Sequence, residues 1–337
     1  MEKFTIEGNS GLSVISVGES FERVESYIPV QNVFIITDKN VAKYYKHKFP
    51  DFPVFEVEPG EKSKELSSLS PIYHWLLQEG ADRNSFILAI GGGVVCDLAG
   101  FIASTFMRGI KFGFVATSLL AQVDASVGGK NGVNLQGYKN IVGTFTQPDF
   151  VICDTNMLHT LPEDEFRNGL AEIIKHALIR DADKFLFLET HQQAILSRDK
   201  TTIDHLVSLS VQIKAAIVQA DEREKGERRL LNFGHTWGHA IEKVSRIPHG
   251  QAVSVGMVFA ANLSVKKNMF SSIDRLLKLL TDYGLPIVAQ IDNHPVFEAM
   301  LKDKKMLDQK MHFVLLEEIG KAVVQEVSIG ELRAFAL

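Results

Sequence analysis

The sequence predicts an α/β fold in which a doubly wound parallel sheet is followed by a mostly α-helical domain. The first half of the 337-residue chain alternates short β-rich runs with helical patterns, as βαβ units do. After about Leu161 helical periods dominate and strand-like runs become rare. A chain of this length also favours two domains. We therefore expect a Rossmann-like domain at residues 1–160 and a helical domain at residues 161–337.

The predicted strands of the first half are short, mostly apolar runs bounded by turn residues. They cover residues 33–38, 53–60, 86–93, 111–118 and 150–154. The run at 86–93 is apolar throughout, which is typical of a parallel strand covered on both faces. Helical spacing at residues 39–45 and 63–78 separates the first three strands, as a βαβ arrangement requires.

Helical periods account for most of the second half. They cover residues 163–179, 201–221, 236–244, 252–267 and 272–283. One short strand-like run, at residues 312–316, interrupts this pattern. The second domain is therefore predicted to be built mainly from helices.

Composition and charge argue against several classes of protein. The formal net charge is −5, so no basic surface is expected to bind nucleic acid. The N-terminus lacks the basic and apolar regions of a signal peptide. The longest apolar tract, residues 86–107, contains three consecutive glycines and Asp97, which suit a strand, turn and helix better than a membrane span. Cys96 and Cys153 lack metal-ligand spacing, so we expect buried thiols in a soluble, cytoplasmic protein.

A glycine-rich turn follows the third predicted strand and is a candidate for nucleotide binding. At Gly91-Gly92-Gly93 a pyrophosphate could approach the backbone at the start of a helix, but a tight strand–helix turn explains the glycines equally well. Asp38 favours nucleotide binding, because a carboxylate at the end of a strand can bind ribose hydroxyls. Aspartate is also a common helix N-cap.

A second glycine pair lies close to two lysines. Gly128 and Gly129 precede Lys130, and Lys139-Asn140 follows shortly after. This arrangement could form a positively charged concavity of the size of a phosphate group. Spacing alone slightly favours a solvated loop with incidental lysines.

Three clustered histidines form the most specific pattern. His235 and His239 lie one helical turn apart, and His249 follows ten residues later, so the imidazoles could converge on one ion or one anionic substrate. Glu172 adds a carboxylate, and the resulting set is typical of a catalytic zinc site with an open position.

The helix that carries Glu172 also carries a lysine and another histidine. Glu172 and Lys175 share one helical face, and a surface ion pair is the usual explanation for such spacing. Apolar neighbours indicate instead a partly buried helix, and His176 is interpreted as structural.

Lys214 and Arg228 are candidates for binding anionic substrate groups. Arg228 belongs to the mixed-charge run at residues 221–229. Such a run is usually a solvated helix end, but this one leads directly into the histidine cluster, which favours a binding role.

Four sequence blocks together resemble the 3-dehydroquinate synthases, which are sugar phosphate cyclases. They are GGGVVCDLAGF, SLLAQVDASVGGK, GLAEIIKH and NFGHTWGHAIE. The resemblance implies an NAD-binding α/β domain, a helical metal domain and a catalytic cleft between them. It also implies conversion of 3-deoxy-D-arabino-heptulosonate 7-phosphate into 3-dehydroquinate, a step of the shikimate pathway, in which NAD takes up and returns one hydride.

The resemblance further implies a role for each matching residue. Glu172, His235 and His249 would bind Zn²⁺ or Co²⁺, whereas His239 would contact the substrate phosphate. The positions that match the NAD site are Asp38, Glu61, Lys64, Gly92, Gly93, Val94, Asp97, Thr117, Ser118, Lys139, Thr160, Leu161 and Glu165. Those that match the substrate site are Lys214 and Arg228 for the carboxylate, Lys130, Asn232, His239 and either Lys304 or Lys305 for the phosphate, and Asp124, Asn140, Lys175 and Glu224 around the ring hydroxyls or the metal. Arg108 would reach the phosphate of the other subunit, which implies a homodimer.

The chain departs from the family pattern in loops near the implied NAD and phosphate sites. Cys96, Ala116 and Asn131 replace the usual glycine, proline and threonine, and residues 135–138 also differ. None of these changes removes a charged contact.

Three other functions remain open. A valiolone or inosose synthase would act on a neutral sugar phosphate, but Lys214 and Arg228 favour an acidic one. A metal-dependent polyol dehydrogenase would form NADH, and a catalytically inactive protein would only bind NAD and metal.

Overall fold

Seven short strands form one sheet in the computed structural model, which describes residues 1–267, 269–303 and 309–337. The strands of the chain are β1 Glu2–Gly8, β2 Gly11–Val17, β3 Val33–Asp38, β4 Val54–Val57, β5 Phe86–Gly91, β6 Lys111–Ala116, β7 Lys130–Leu135, β8 Tyr138–Phe145, β9 Phe150–Cys153, β10 Lys310–Glu318 and β11 Lys321–Ser328. The spatial order of the large sheet is β1-β2-β9-β6-β5-β3-β4. The predicted α/β class with a parallel sheet is confirmed.

Helices dominate the second half, as predicted. The α-helices are α1 Lys39–Tyr45, α2 Leu69–Gln78, α3 Gly93–Thr105, α4 Glu163–Arg180, α5 Ala182–Thr190, α6 Gln192–Leu196, α7 Lys200–Ala220, α8 His235–Ser245, α9 His249–Lys266, α10 Ile273–Asp282, α11 Asn293–Asp303 and α12 Ile329–Ala336. α2 begins later than predicted, because Glu61–Lys64 and Leu66–Ser68 form short 3-10 turns before it.

The parallel strands meet at a point where the winding of the sheet reverses. β3 pairs in parallel with β4 on one side and with β5 on the other. Both β3 and β5 are buried throughout, in agreement with their apolar sequences. In such sheets ligands bind beyond the carboxyl ends of the strands at the reversal, which here are Asp38 and Gly91.

Two antiparallel hairpins were not predicted from the sequence. One pairs β1 with β2 and adds them to the edge of the large sheet, and the other pairs β7 with β8. β8 is largely exposed, so it lacks the apolar alternation that marks a strand with one buried face. The predicted strand at residues 312–316 is part of a third hairpin, β10–β11.

The chain forms two compact units. The first contains Met1–Phe166 and Ile203–Glu222, and the second contains Arg167–Thr202 and Arg223–Leu337. Buried side chains that include Val33, Ile35, Phe86, Leu88 and Ile152 form a core of the first unit. Those that include Trp237, Ile241, Leu263, Phe297 and Phe313 form a core of the second. The domain division at residues 160 and 161 stays a prediction.

Within the second unit, α8 and α9 approach each other through glycines. A Cβ at Gly238 would lie 2.9 Å from the carbonyl oxygen of Ala252. A Cβ at Gly256 would overlap with the carbonyl oxygen of Gly234. This close approach brings together the two helices that begin at His235 and His249.

None of the helices in the three described ranges is long and apolar enough to cross a membrane.

Gly256→Ala is expected to destabilise the protein by about 1–3 kcal/mol, because the added methyl group forces α8 and α9 apart. Gly330→Ala is the matched control: Gly330 is also helical, and no atom lies within 4 Å of the position of its Cβ. The control should be neutral or gain up to about 1 kcal/mol from helix propensity. Urea unfolding curves compare the two, and equal effects would contradict the tight crossing.

Candidate active site

The second unit contains a carboxylate that is completely buried. Glu172 lies on α4 with no exposed surface, and its Oε1 is 3.2 Å from His249 Nε2 and 3.5 Å from His235 Nε2. The ligand atoms of these three residues all lie within 4.8 Å of one another. Two imidazoles and a carboxylate are ligands that zinc and cobalt accept, so the set predicted from sequence converges in space.

The other ring nitrogens of the two histidines are also engaged. His235 Nδ1 lies 3.1 Å from the carbonyl oxygen of Phe233, and His249 Nδ1 lies 3.6 Å from Glu242 Oε2. Partners of this kind orient metal-binding imidazoles. The Nε2 atoms are thereby directed towards Glu172.

The two histidines differ in their affinity for protons. Burial, reinforced by the positive charge of Lys175, holds the pKa of His235 well below its ordinary value. Burial also acts to lower the pKa of His249, but hydrogen bonds with Glu172 and Glu242 outweigh it and raise that pKa to about 10. The acidic groups therefore favour a positive charge at this position.

Lys175 adds a further positive charge on the same helix. Its Nζ forms an ion pair with Glu172 Oε2, and both side chains are almost entirely buried. The spacing of three residues places them on one helical face, as expected. The interior position of the pair agrees with the apolar neighbours seen in the sequence.

His239 lies beside His235 and His249 of the metal-type set. Its ring centroid is 5.1 Å from that of His235 and 6.1 Å from that of His249. With Glu242 and His249 it forms a second group that could hold a cation. The geometry alone is therefore compatible with His239 as a metal ligand and with His239 as a contact for the substrate phosphate.

The charged run before α8 is not simply a solvated helix end. Arg228 is only 2% exposed. Arg229, in contrast, is partly exposed, and its Nε donates a hydrogen bond to the backbone oxygen of Glu224. The Glu224 carboxylate accepts a hydrogen bond from Asn232 Nδ2. Of the predicted substrate residues, Arg228 is therefore buried, and Glu224 and Asn232 are hydrogen-bonded to each other.

In the first unit, the glycine turn lies at the reversal point of the sheet. α3 begins at Gly93, directly after β5, so its N-terminal amides face the space beyond the strand ends. Thr117 N donates to Gly91 O at 2.9 Å, and a Cβ at Gly92 would lie 3.3 Å from Ser118 Oγ. A backbone free of side chains at a helix N-terminus fits a pyrophosphate.

Asp38 is the N-cap of α1, one of the two roles that the sequence predicts for it. Its Oδ1 accepts hydrogen bonds from Asn40 N at 2.8 Å and Val41 N at 3.1 Å, which caps α1. Burial raises the pKa of this carboxyl, and the two backbone bonds oppose the shift. The cap does not exclude ribose binding, because a carboxylate has a second oxygen.

A buried ion pair joins two residues predicted to bind NAD. Lys64 Nζ pairs with Asp97 Oδ2, and the lysine side chain is 4% exposed. Burial raises the pKa of Asp97, and the charge of Lys64 opposes the shift. The pair fixes the 3-10 turn Glu61–Lys64 against α3.

Asp124 and Lys214, both predicted substrate residues, are direct partners. Lys214 Nζ lies 2.5 Å from Asp124 Oδ1 and also donates to the Asp124 carbonyl oxygen. Asp124 belongs to a single π-helical turn, Ala121–Ala125, a feature that is frequent at functional sites.

Other predicted residues are on the surface of the first unit. Arg108, Lys130, Lys139, Asn140, Thr160 and Glu165 are exposed, and Val94 and Leu161 are partly exposed. Arg108 has a positive φ of 74°, and Thr160 Oγ1 lies 2.8 Å from the Tyr45 hydroxyl. Lys304 and Lys305 lie outside the described residues.

Sequence reasoning missed two residues that connect predicted ones. Glu242 contacts His249, and its place one turn after His239 in the NFGHTWGHAIE block could have indicated it. Asn134 is 4% exposed; it donates to Glu61 Oε1 at 2.8 Å and accepts from Asn140 N at 2.9 Å. No local pattern marks Asn134, because its partners are distant in sequence.

Comparison with known proteins gives consistent matches over most of the chain. The family described as 3-dehydroquinate synthase N-terminal matches residues 54–168, and the one described as 3-dehydroquinate synthase C-terminal matches residues 169–306. The chain is 43% identical over 323 residues to the 3-dehydroquinate synthase of Dehalococcoides mccartyi strain CBDB1, which covers 92% of this chain and 90% of the relative.

Solved structures of other sugar phosphate cyclases are also similar. A 2-deoxy-scyllo-inosose synthase in complex with carbaglucose-6-phosphate, NAD⁺ and Co²⁺ superimposes with a TM-score of 0.88, 27% identity and 99% coverage of both chains. ValA, a 2-epi-5-epi-valiolone synthase from Streptomyces hygroscopicus subsp. jinggangensis 5008 with bound NAD⁺ and Zn²⁺, gives a TM-score of 0.87 and 25% identity, covering 99% of this chain and 96% of that one.

Proposed function

The chain belongs to the 3-dehydroquinate synthase family, and from that premise we propose that it converts 3-deoxy-D-arabino-heptulosonate 7-phosphate into 3-dehydroquinate and phosphate. It is an enzyme of the lyase type in aromatic amino-acid biosynthesis. The observation that carries the proposal is the convergence of Glu172, His235 and His249 around one point.

A divalent metal fits the residues of the second unit. The donor set consists of a buried carboxylate and two imidazoles whose other nitrogens face Phe233 O and Glu242, as in metal sites that are well oriented. When bound, Zn²⁺ or Co²⁺ supplies a Lewis acid that polarises a substrate oxygen. With three protein ligands, the set leaves open positions for substrate oxygens.

NAD fits the reversal point of the sheet in the first unit. Gly92 and Gly93 leave the backbone bare at the start of α3, and the related inosose synthase binds NAD⁺. Bound there, NAD would supply reversible hydride chemistry: it would accept the hydride of the carbon that bears a substrate hydroxyl and give it back in the same turnover. Lys64, paired with Asp97, keeps the neighbouring turn in place.

Charged side chains of this chain define the substrate class. We assign the substrate carboxylate to Lys214 and Arg228, and the phosphate to Lys130, Asn232 and His239. Fixing both anionic ends of a long substrate holds its reacting carbons in place, so that less conformational freedom is lost before elimination and ring closure, which are intramolecular in this substrate. A substrate that lacks a carboxylate would not form the charge-assisted hydrogen bonds assigned to Lys214 and Arg228, and would bind more weakly.

Lys175 and Glu224 have orienting roles in this proposal. Lys175 forms an ion pair with one oxygen of the buried Glu172 carboxylate and so orients the other oxygen towards the two histidines. Glu224 holds the amide of Asn232. Arg108 is assigned to the phosphate of a second subunit in a homodimer, and the biosynthetic role supports a cytoplasmic location.

Phosphate release should continue long after it exceeds the amount of added NAD, because the hydride returns in every turnover. The measurement combines the heptulosonate phosphate with a small quantity of NAD and follows phosphate, dehydroquinate and NADH absorbance together. A rise in NADH that equals substrate consumption would instead indicate a polyol dehydrogenase.

His235→Ala should weaken binding of Zn²⁺ or Co²⁺ by about 100-fold or more, because it removes a ligand rather than a supporting group. His239→Ala is the control: it should retain the metal and raise KM for the phosphorylated substrate. Metal analysis after dialysis against a chelator distinguishes the two variants. Equal metal loss from both would favour the second group, formed with Glu242, over the proposed one.

Arg228→Met should lower kcat/KM for the acidic substrate by about one to two orders of magnitude, because a charge-assisted hydrogen bond is lost. Arg229→Met is the matched control, since Arg229 is partly exposed and should point elsewhere. Both variants are assayed with the heptulosonate phosphate and with sedoheptulose 7-phosphate. Equal small effects would refute the role of Arg228, and a preference of the unmutated enzyme for the neutral sugar would overturn the substrate assignment.

A further inference from the structure

A buried glutamine packs against the glycine pair that precedes Lys130. Gln147 is 4% exposed and follows β8 in the first unit. A Cβ at Gly129 would lie 2.9 Å from Gln147 Cδ, 3.0 Å from its Nε2 and 3.2 Å from its Oε1. The side-chain amide therefore lies directly behind the backbone of the loop.

Within the described part of the chain, this side-chain amide has no hydrogen-bond partner. Neither Nε2 nor Oε1 of Gln147 is paired with any atom of residues 1–267, 269–303 or 309–337. Buried polar groups in proteins are nearly always paired, and leaving both ends of an amide unpaired destabilises the fold. An apolar side chain of the same size would avoid that cost. The glutamine at this position therefore has a role other than stabilising the fold.

The loop is held firmly on its other side. Gly129 O accepts hydrogen bonds from Thr146 N at 2.8 Å and from Asn131 Nδ2 at 3.1 Å. Gly128 and Gly129 have backbone φ values of 103° and 67°, which residues other than glycine rarely adopt. The carbonyl of Gly129 is thus fixed, and the side-chain amide of Gln147 lies next to the same residue.

We propose that Gln147 is a positioning residue for phosphate binding: its amide hydrogen-bonds the backbone of residues 128–130 when a phosphate group is bound there, and is unpaired otherwise. This rests on the proposed function, which assigns Lys130 to the phosphate. The Gln147 amide is already stripped of solvent, so a hydrogen bond formed on binding displaces no water from it. The unpaired amide destabilises the phosphate-free protein. The hydrogen bond that forms on binding removes this cost and so increases the affinity for phosphate.

The test compares Gln147→Met, which keeps the volume but removes both polar atoms, with the unmutated protein. Calorimetric titration with inorganic phosphate should give a Kd about tenfold higher for the variant. Its melting temperature without phosphate should be unchanged or about 2–4 °C higher. In the assay KM should rise while kcat is largely retained, a split that a purely structural role would not produce.

Ser13→Ala is the control, because the Ser13 hydroxyl is likewise buried and without a partner in the described part of the chain but is not among the groups around Gly129. It should leave the phosphate Kd unchanged. Gln147→Leu serves as a second variant should the methionine variant fail to fold. Loss of folding in both would overturn the proposal, because an unpaired amide cannot be required for folding.

An unchanged phosphate Kd in Gln147→Met also overturns the proposal, as does a lower melting temperature without phosphate, which would mean that the amide is paired through buried water. An unmutated protein that binds no phosphate would overturn it too. Turnover of the heptulosonate phosphate by the unmutated enzyme is measured separately. Turnover with an unchanged Kd refutes only the role of Gln147, whereas a raised Kd without turnover refutes only the proposed reaction.

Discussion

The carboxylate of Glu172 has no access to water, and the arrangement of the second unit follows from that constraint. An ionised carboxylate in a protein interior is stable only when cations or hydrogen-bond donors surround it. Lys175 balances one oxygen, and His235 and His249 face the other. Because the three partners come from α4, α8 and α9, these helices have to pack closely enough to deliver them, and the glycines between α8 and α9 permit that approach.

The parts of the fold that the sequence predicted best are those with strong periodicity. β3 and β5 are buried on both faces and are apolar throughout, so their pattern is unambiguous. The exposed strand β8 has no such pattern, and its pairing with β7 depends on contacts that appear only when the chain is folded. Periodicity reports burial of one face rather than strand formation itself, which explains why β8 was missed.

The candidate site could be predicted where its residues are close in sequence. His235, His239 and His249 occur within one short segment, and their convergence with Glu172 followed from helical spacing and family resemblance. The burial of Arg228 could not be read from its charged neighbours. Gln147 and Asn134 have no distinguishing neighbours in the sequence, because what sets them apart is the presence or absence of distant hydrogen-bond partners.

The discontinuous composition of the two units has a consequence for the order in which the nascent chain can fold. The first unit includes Ile203–Glu222, so its native structure cannot be completed on the ribosome until Glu222 has emerged. Residues 167–202 are synthesised earlier, but they belong to the second unit and must wait for the C-terminal segment. At translation rates of about 5–20 residues per second, this delay lasts roughly 7–27 s. During that interval the apolar residues of α4 around Glu172, which are buried in the folded protein, lack their final neighbours.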